Sequence, residues 1–224
     1  MKSTVPNLLS LNAGFVDTMG FLVLHGLFAA HVTGNFVTLG ASLVLGTSGA
    51  VAKIFALPMF CVVVVLTRLS RYRLIEHGLP VLRTFLSVMF ALLLFSAVLA
   101  VQLGPFKDGD GWPAIVTGLT LVMAMAIQNA VQKVHLINAP PTTMMTGTTT
   151  QIMLDVADLL HGVSGEQRAQ AKERLSRMIV SLAVFGMGCA GGALAYAWLG
   201  VWCFAVPPLL VLGACVSPDA APAR

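Results

Sequence analysis

Eight apolar runs divide the chain, at about residues 7–29, 34–48, 52–67, 81–103, 112–133, 146–160, 175–198 and 200–216. A helix needs about 20 predominantly apolar residues to cross a hydrocarbon core, within a range of roughly 17–25. The runs at 52–67 and 200–216 are short but densely apolar, whereas those at 34–48 and 146–160 are short and polar for a span. These last two each begin at a Thr-Gly pair, Thr33-Gly34 and Thr146-Gly147. The pattern predicts an all-α integral membrane protein with six transmembrane helices and two short re-entrant elements. Each re-entrant element is a half-helix that enters and leaves on one side.

The two short runs belong to a motif that occurs twice. Gly14-Phe15-Val16-Asp17-Thr18 is followed by His31-Val32-Thr33-Gly34-Asn35-Phe36-Val37-Thr38, and Ala126-Ile127-Gln128-Asn129-Ala130 by Met144-Met145-Thr146-Gly147-Thr148-Thr149-Thr150-Gln151. Asp17 precedes Thr33 by 16 residues and Asn129 precedes Thr146 by 17, with about 112 residues between the copies in a chain of 224. Such a period reads as a duplication. It gives halves of 1–107 and 108–224, joined by the turn-rich Gly104-Pro105-Phe106-Lys107-Asp108-Gly109-Asp110-Gly111. Three crossings per half is an odd number, so the second half must insert upside down, the inverted-repeat plan of several secondary transporters.

Composition agrees with a membrane protein. Mean hydropathy is +0.88, and 57% of residues are hydrophobic while only 10% are charged, against about 25% charged in soluble domains. The net charge of +4 is therefore read as loop cations between apolar runs rather than as a nucleic-acid surface. Two basic clusters stand out, Arg68, Arg71, Arg73 and Arg83, then Arg168, Lys172, Arg174 and Arg177. The positive-inside rule puts both in the cytoplasm. Eight crossings would put the clusters on opposite sides, whereas six put both inside together with both termini. Under six, Trp112, Trp198 and Trp202 fall at the outer interface, where indole is favoured, and Tyr72 at the inner one. Cys61, Cys189, Cys203 and Cys215 lie in or at the ends of apolar runs and suggest no disulfide framework.

The candidate chemistry gathers at the motif. Ala139-Pro140-Pro141-Thr142-Thr143 favours extended backbone leading into the second half-helix. Each half-helix N-terminus would present free N–H groups and the positive end of a dipole to an anionic or carbonyl group. Asp17 lies mid-run, where a carboxylate costs about 2.5–3.5 kcal/mol on insertion scales, so a proton carrier, a cation ligand and a structural cap all compete for it. The residues expected to line a midplane solute site are Asp17, His31, Thr33, Gly34, Asn35, Gln128, Asn129, Thr146, Gly147 and Thr148. Asp155, Asp158 and His161 are read as interfacial residues at a wet end, with a metal or proton-relay role as the alternative. No HExxH, GxSxG, Walker or Rossmann pattern is present. No catalytic residue, metal or cofactor is expected. Gly188 and Gly192 have GxxxG spacing, read first as packing within the chain and second as a homo-oligomer contact.

Asn12-Ala13-Gly14-Phe15-Val16-Asp17, Gly26-Leu27-Phe28 and His31-Val32-Thr33-Gly34-Asn35, with Gln128-Asn129-Ala130 and Thr146-Gly147-Thr148, resemble the signature of the YoaK-type multi-pass bacterial membrane proteins. That is a domain-of-unknown-function family, and the resemblance covers most of the chain. It implies an inner-membrane protein of this size and brings no substrate. The expected function is a secondary transporter or permease for a small anionic or carbonyl-bearing solute, proton- or cation-coupled. A membrane scaffold or assembly protein is the alternative, and an intramembrane enzyme the third class. The expected partners are the solute and the lipid bilayer, and no nucleic acid.

Overall fold

A computed structural model describes residues 4–143 and 145–218, so Met144 of the second motif lies outside the described residues. Every apolar run becomes helix: α1 (Thr4–Val23), α2 (Asn35–Leu45), α3 (Ala50–Glu76), α4 (Val81–Leu103), α5 (Trp112–Val134), α6 (Met145–His161), α7 (Gly165–Leu199) and α8 (Val206–Val216). Tight 3-10 turns at Val32–Gly34 and Gly200–Ala205 precede α2 and α8. Four stretches are long and apolar enough to cross a membrane: α3, α4, α5 and the continuous stretch from Gly165 to Val216. Large apolar side chains such as Val44, Leu160 and Leu43 stand outside the fold, as a lipid-facing surface requires.

The helix bounds correct two expectations. The first run was read to 29, but α1 stops at Val23 and residues 24–31 are irregular. The basic clusters were read as loop cations, yet Arg68, Arg71 and Arg73 ride on α3 and Arg168, Lys172, Arg174 and Arg177 on α7. Arg and Lys are good helix formers, so these helices continue past the apolar run instead of ending at it.

Helix α5 is the most buried of the candidate spans. It packs on α3, α4 and α1, while α1 packs on α7 and α8. The remaining major pairs are α2 with α3, α6 with α7, and α4 with α8. Leu9, Met19, Leu86, Met89, Leu93, Leu121 and Met125 fill the shared core. Glycine sets the α1–α7 crossing. A Cβ at Gly188 would overlap the Leu11 carbonyl oxygen, one at Gly192 would lie 2.7 Å from the Phe15 carbonyl oxygen, and one at Gly14 would overlap the Phe185 carbonyl oxygen. Gly188 and Gly192 are thus covered by α1 of their own chain, which leaves those two glycines no surface for a second copy.

The two ends of the bundle differ. At one, the α4–α5 loop meets the α2–α3 loop. His25 Nε2 donates to the Phe106 carbonyl (2.9 Å), Ser48 Oγ donates to His25 Nδ1 (3.2 Å), and the Gly109 N–H donates to Ser48 Oγ (3.1 Å). His25 takes a left-handed φ of 53° to do this, a conformation uncommon outside glycine. Val201 touches Gly104 at the same end, close to the exposed Trp112, Trp198 and Trp202. At the other end Lys133 shares a cleft with Arg174 and Arg177, and Arg71 acts on His135. Both basic clusters therefore occupy one end and the tryptophans the other.

Candidate functional site

Residues 24–31 turn back into the protein after α1, and α2 leads out again to the same end, where His25 and Ser48 meet. Asp17, on α1, fixes the inbound chain. Its Oδ1 accepts the N–H groups of Ala29 (2.9 Å) and Ala30 (2.6 Å), and its Oδ2 accepts the His31 N–H (3.1 Å) and the His31 Nδ1–H (2.5 Å). Asp17 is only 4% exposed. Three convergent N–H groups are what an anion needs at broken backbone, and here the chain's own carboxylate fills that position. Asn35 closes the turn: its Oδ1 accepts the Phe28 N–H (2.8 Å) and its Nδ2 donates to the Phe28 carbonyl (2.7 Å).

The second half repeats the device with neutral groups. After α5, residues 135–143 are irregular and turn inward. Thr143 Oγ1 donates to Asn129 Oδ1 (2.7 Å), and Gln128 Nε2 donates to Thr142 Oγ1 (3.2 Å) and the Leu9 carbonyl (2.9 Å). Asn12 Nδ2 donates to Gln128 Oε1 (3.1 Å), tying α1 to α5 at the centre. Ser10 bonds Ser181 (3.1 Å), whose hydroxyl donates to the Pro141 carbonyl (3.2 Å). A polar layer thus crosses the apolar core beside the second inward segment.

Each half-helix is also bound to the helix that follows it, at the ninth residue after the motif threonine. From Thr33 that residue is Ser42, which accepts from Lys53 Nζ on α3 (2.6 Å). From Thr146 it is Asp155, which is fully buried and accepts from Gln151 Nε2 (2.9 Å), Arg174 Nε (2.8 Å) and Arg174 Nη2. Asp155 was expected at a wet interface. Burial and the guanidinium pair correct that, whereas Asp158 and His161 are exposed. Lys53, 4% exposed inside an apolar helix, is a residue that motif reading missed. The signal for it was a lone cation where lipid-facing sequence should carry none.

The expected site residues separate into groups. Asp17, His31 and Asn35 meet at the first break, and Gln128 and Asn129 at the second. Thr33, Thr146 and Gly147 are exposed, and nothing lies within 4 Å of a Cβ at Gly147. Gly34 differs, since its Cβ position is 3.0 Å from the Phe28 ring. Thr148 is buried. Among the described residues, no three His, Cys, Asp or Glu side chains gather as metal ligands would.

Several clefts open at the basic end, and two of them are lined by both basic residues and the inward segment. One, of about 360 Å³, lies between Asn129, Gln132 and Lys133 of α5, the inward segment, and Arg174 and Arg177 of α7. The other, of about 470 Å³, runs from Pro6 and Asn7 past Asn138 to Glu173 and Arg177. Neither reaches Asp17 or His31.

Over residues 6–217 the chain matches the model of a family described as protein of unknown function, DUF1275. This agrees with the resemblance carried by the motifs. No curated protein and no solved structure matches.

Proposed function

The chain belongs to the DUF1275 family, whose description assigns no activity, and on that premise we propose that it is a small secondary transporter of the inner membrane. In this reading it is not an enzyme. It has six crossings and two re-entrant half-helices, arranged as inverted repeats of 1–107 and 108–224, and it carries a small anionic or carbonyl-bearing solute. The carrying observation is the paired break. Asp17 holds residues 12 to 14 positions on, and Asn129 and Gln128 hold residues 14 positions on. Backbone broken at such depth is the means by which transporters with repeats form a solute site.

Packing supports the same plan. Exchanging the halves turns the α1–α7 pair into α5–α3, α2–α3 into α6–α7, and α4–α5 into α8–α1, while α1–α5 and α4–α8 map onto themselves. With the basic end cytoplasmic, the start of α1 lies inside too, because Pro6 and Asn7 share a cleft with Arg177. Asp17 and His31 are the coupling pair in this proposal. Protonating the carboxylate would turn an acceptor of four bonds into a donor and loosen residues 29–31.

The test is flux into proteoliposomes for a panel of small carboxylates and phosphate at two pH values, with Asp17→Asn and His31→Gln. The expected result is a pH-dependent flux that folded Asp17→Asn loses. Unchanged flux and pH dependence in that variant would remove the coupling role. A scaffold is the second reading, favoured by a carboxylate whose bonds all stay inside the fold. It predicts no flux from the wild type and loss of folding in Asp17→Asn.

A further inference from the structure

Resting on the transporter reading, we infer that the 360 Å³ cleft between α5, residues 135–143 and α7 is the cytoplasmic vestibule for the solute. The geometry points to a compact anion that also carries a hydroxyl or ammonium donor. Three cations line the cleft, Lys133, Arg174 and Arg177, and no carboxylate does. Arg174 is held at the wall by the buried Asp155, so its position is fixed before a ligand arrives. Arg177 meets only the exposed Glu173, at 3.6 Å, and Lys133 makes no ion pair among the described residues. A ligand anion would therefore meet net positive charge.

The donor requirement comes from Gln132. Its Nε2 donates to the carbonyls of Leu136 (3.0 Å) and Ala139 (3.4 Å), which fixes the amide orientation. Its Oε1 is buried with no hydrogen-bond partner. A buried acceptor left open is costly, and a small shift of the Gln132 side chain toward the cleft would let a ligand O–H or N–H satisfy it. The size also fits. At about 30 Å³ per water-sized group the cleft holds roughly a dozen. The cleft includes Asn129 and Thr143, the pair that fixes the second break, so a ligand there sits against the bond that positions the half-helix.

The test is binding to the purified full chain of succinate, malate and aspartate, four-carbon dicarboxylates differing by hydrogen, hydroxyl and amino at one carbon. Malate and aspartate should bind about tenfold tighter than succinate, and Gln132→Leu should erase the difference. Lys133→Gln and Arg177→Gln, both at exposed positions, should each weaken binding about tenfold. They decide the matter if Gln132→Leu fails to fold. No binding by any of the three, or binding that ignores both charge variants, overturns the vestibule. Flux that ignores Lys133→Gln and Arg177→Gln would sink the vestibule and keep the transporter, whereas binding without flux would do the reverse.

Discussion

At the residue scale, several polar groups inside this protein are bonded to backbone that has left its helix. Asp17 and Asn35 serve residues 28–31, and Gln132 serves Leu136 and Ala139. His135 follows the end of α5, and its Nε2 is buried without a partner. Burial first and then the nearby Arg71 lower its pKa below the ordinary 6.5. The fold thus favours neutral imidazole, and its contribution is intact above the unfolded pKa and is lost as pH falls through the folded one. Thermal unfolding of the purified chain should show stability falling from about pH 7 to about pH 5. His135→Asn should flatten that slope, and an unchanged slope would remove His135 as its source.

At the element scale, the α2–α3 and α6–α7 pairs are each joined by a cation reaching back to the half-helix. In the second pair the cation is irreplaceable by an apolar group alone. Arg174→Met would strand the Asp155 carboxylate in the core, costing about 3 kcal/mol, the low end for a buried pair since Arg174 is partly exposed. Adding Asp155→Asn should recover part of that loss in a denaturation midpoint. Equal loss in the single and double variants would show that the stranded carboxylate is not the source of the cost. Helix existence was legible throughout, since run length and hydropathy decide it. The short helices α2 and α6 were legible for the same reason, while their re-entrant placement belongs to the proposal. Arg174 and Lys53 were not legible as ties, because the pairing joins residues 11 and 19 positions apart on separate helices. That Thr33, Thr146 and Gly147 are exposed while Asp17, Asn35 and Gln128 are buried was not legible, because a recurring motif does not say which of its members face inward.

At the scale of the whole molecule, two ends with opposite chemistry set the orientation. Single cysteines placed at Ser48 and Asp108 should react with a membrane-impermeant maleimide from one side only, and those at Ile137 and Gly162 from the other, in a background lacking the four native cysteines. Labelling of Ile137 and Gly162 from opposite sides would show that α6, which lies between them, crosses after all. The halves of this molecule are also not independent units. The Val51 N–H near the start of α3 is capped by Asp110 (2.9 Å), and the Gly109 N–H is held by Ser48. The first of the proposed halves thus completes its α2–α3 loop with residues that belong to the second. A chain emerging at about 5–20 residues per second makes Asp110 roughly 3–12 s after Val51. During that interval the first hairpin has no clasp, so the insertion machinery must hold an unfinished structure until the junction arrives.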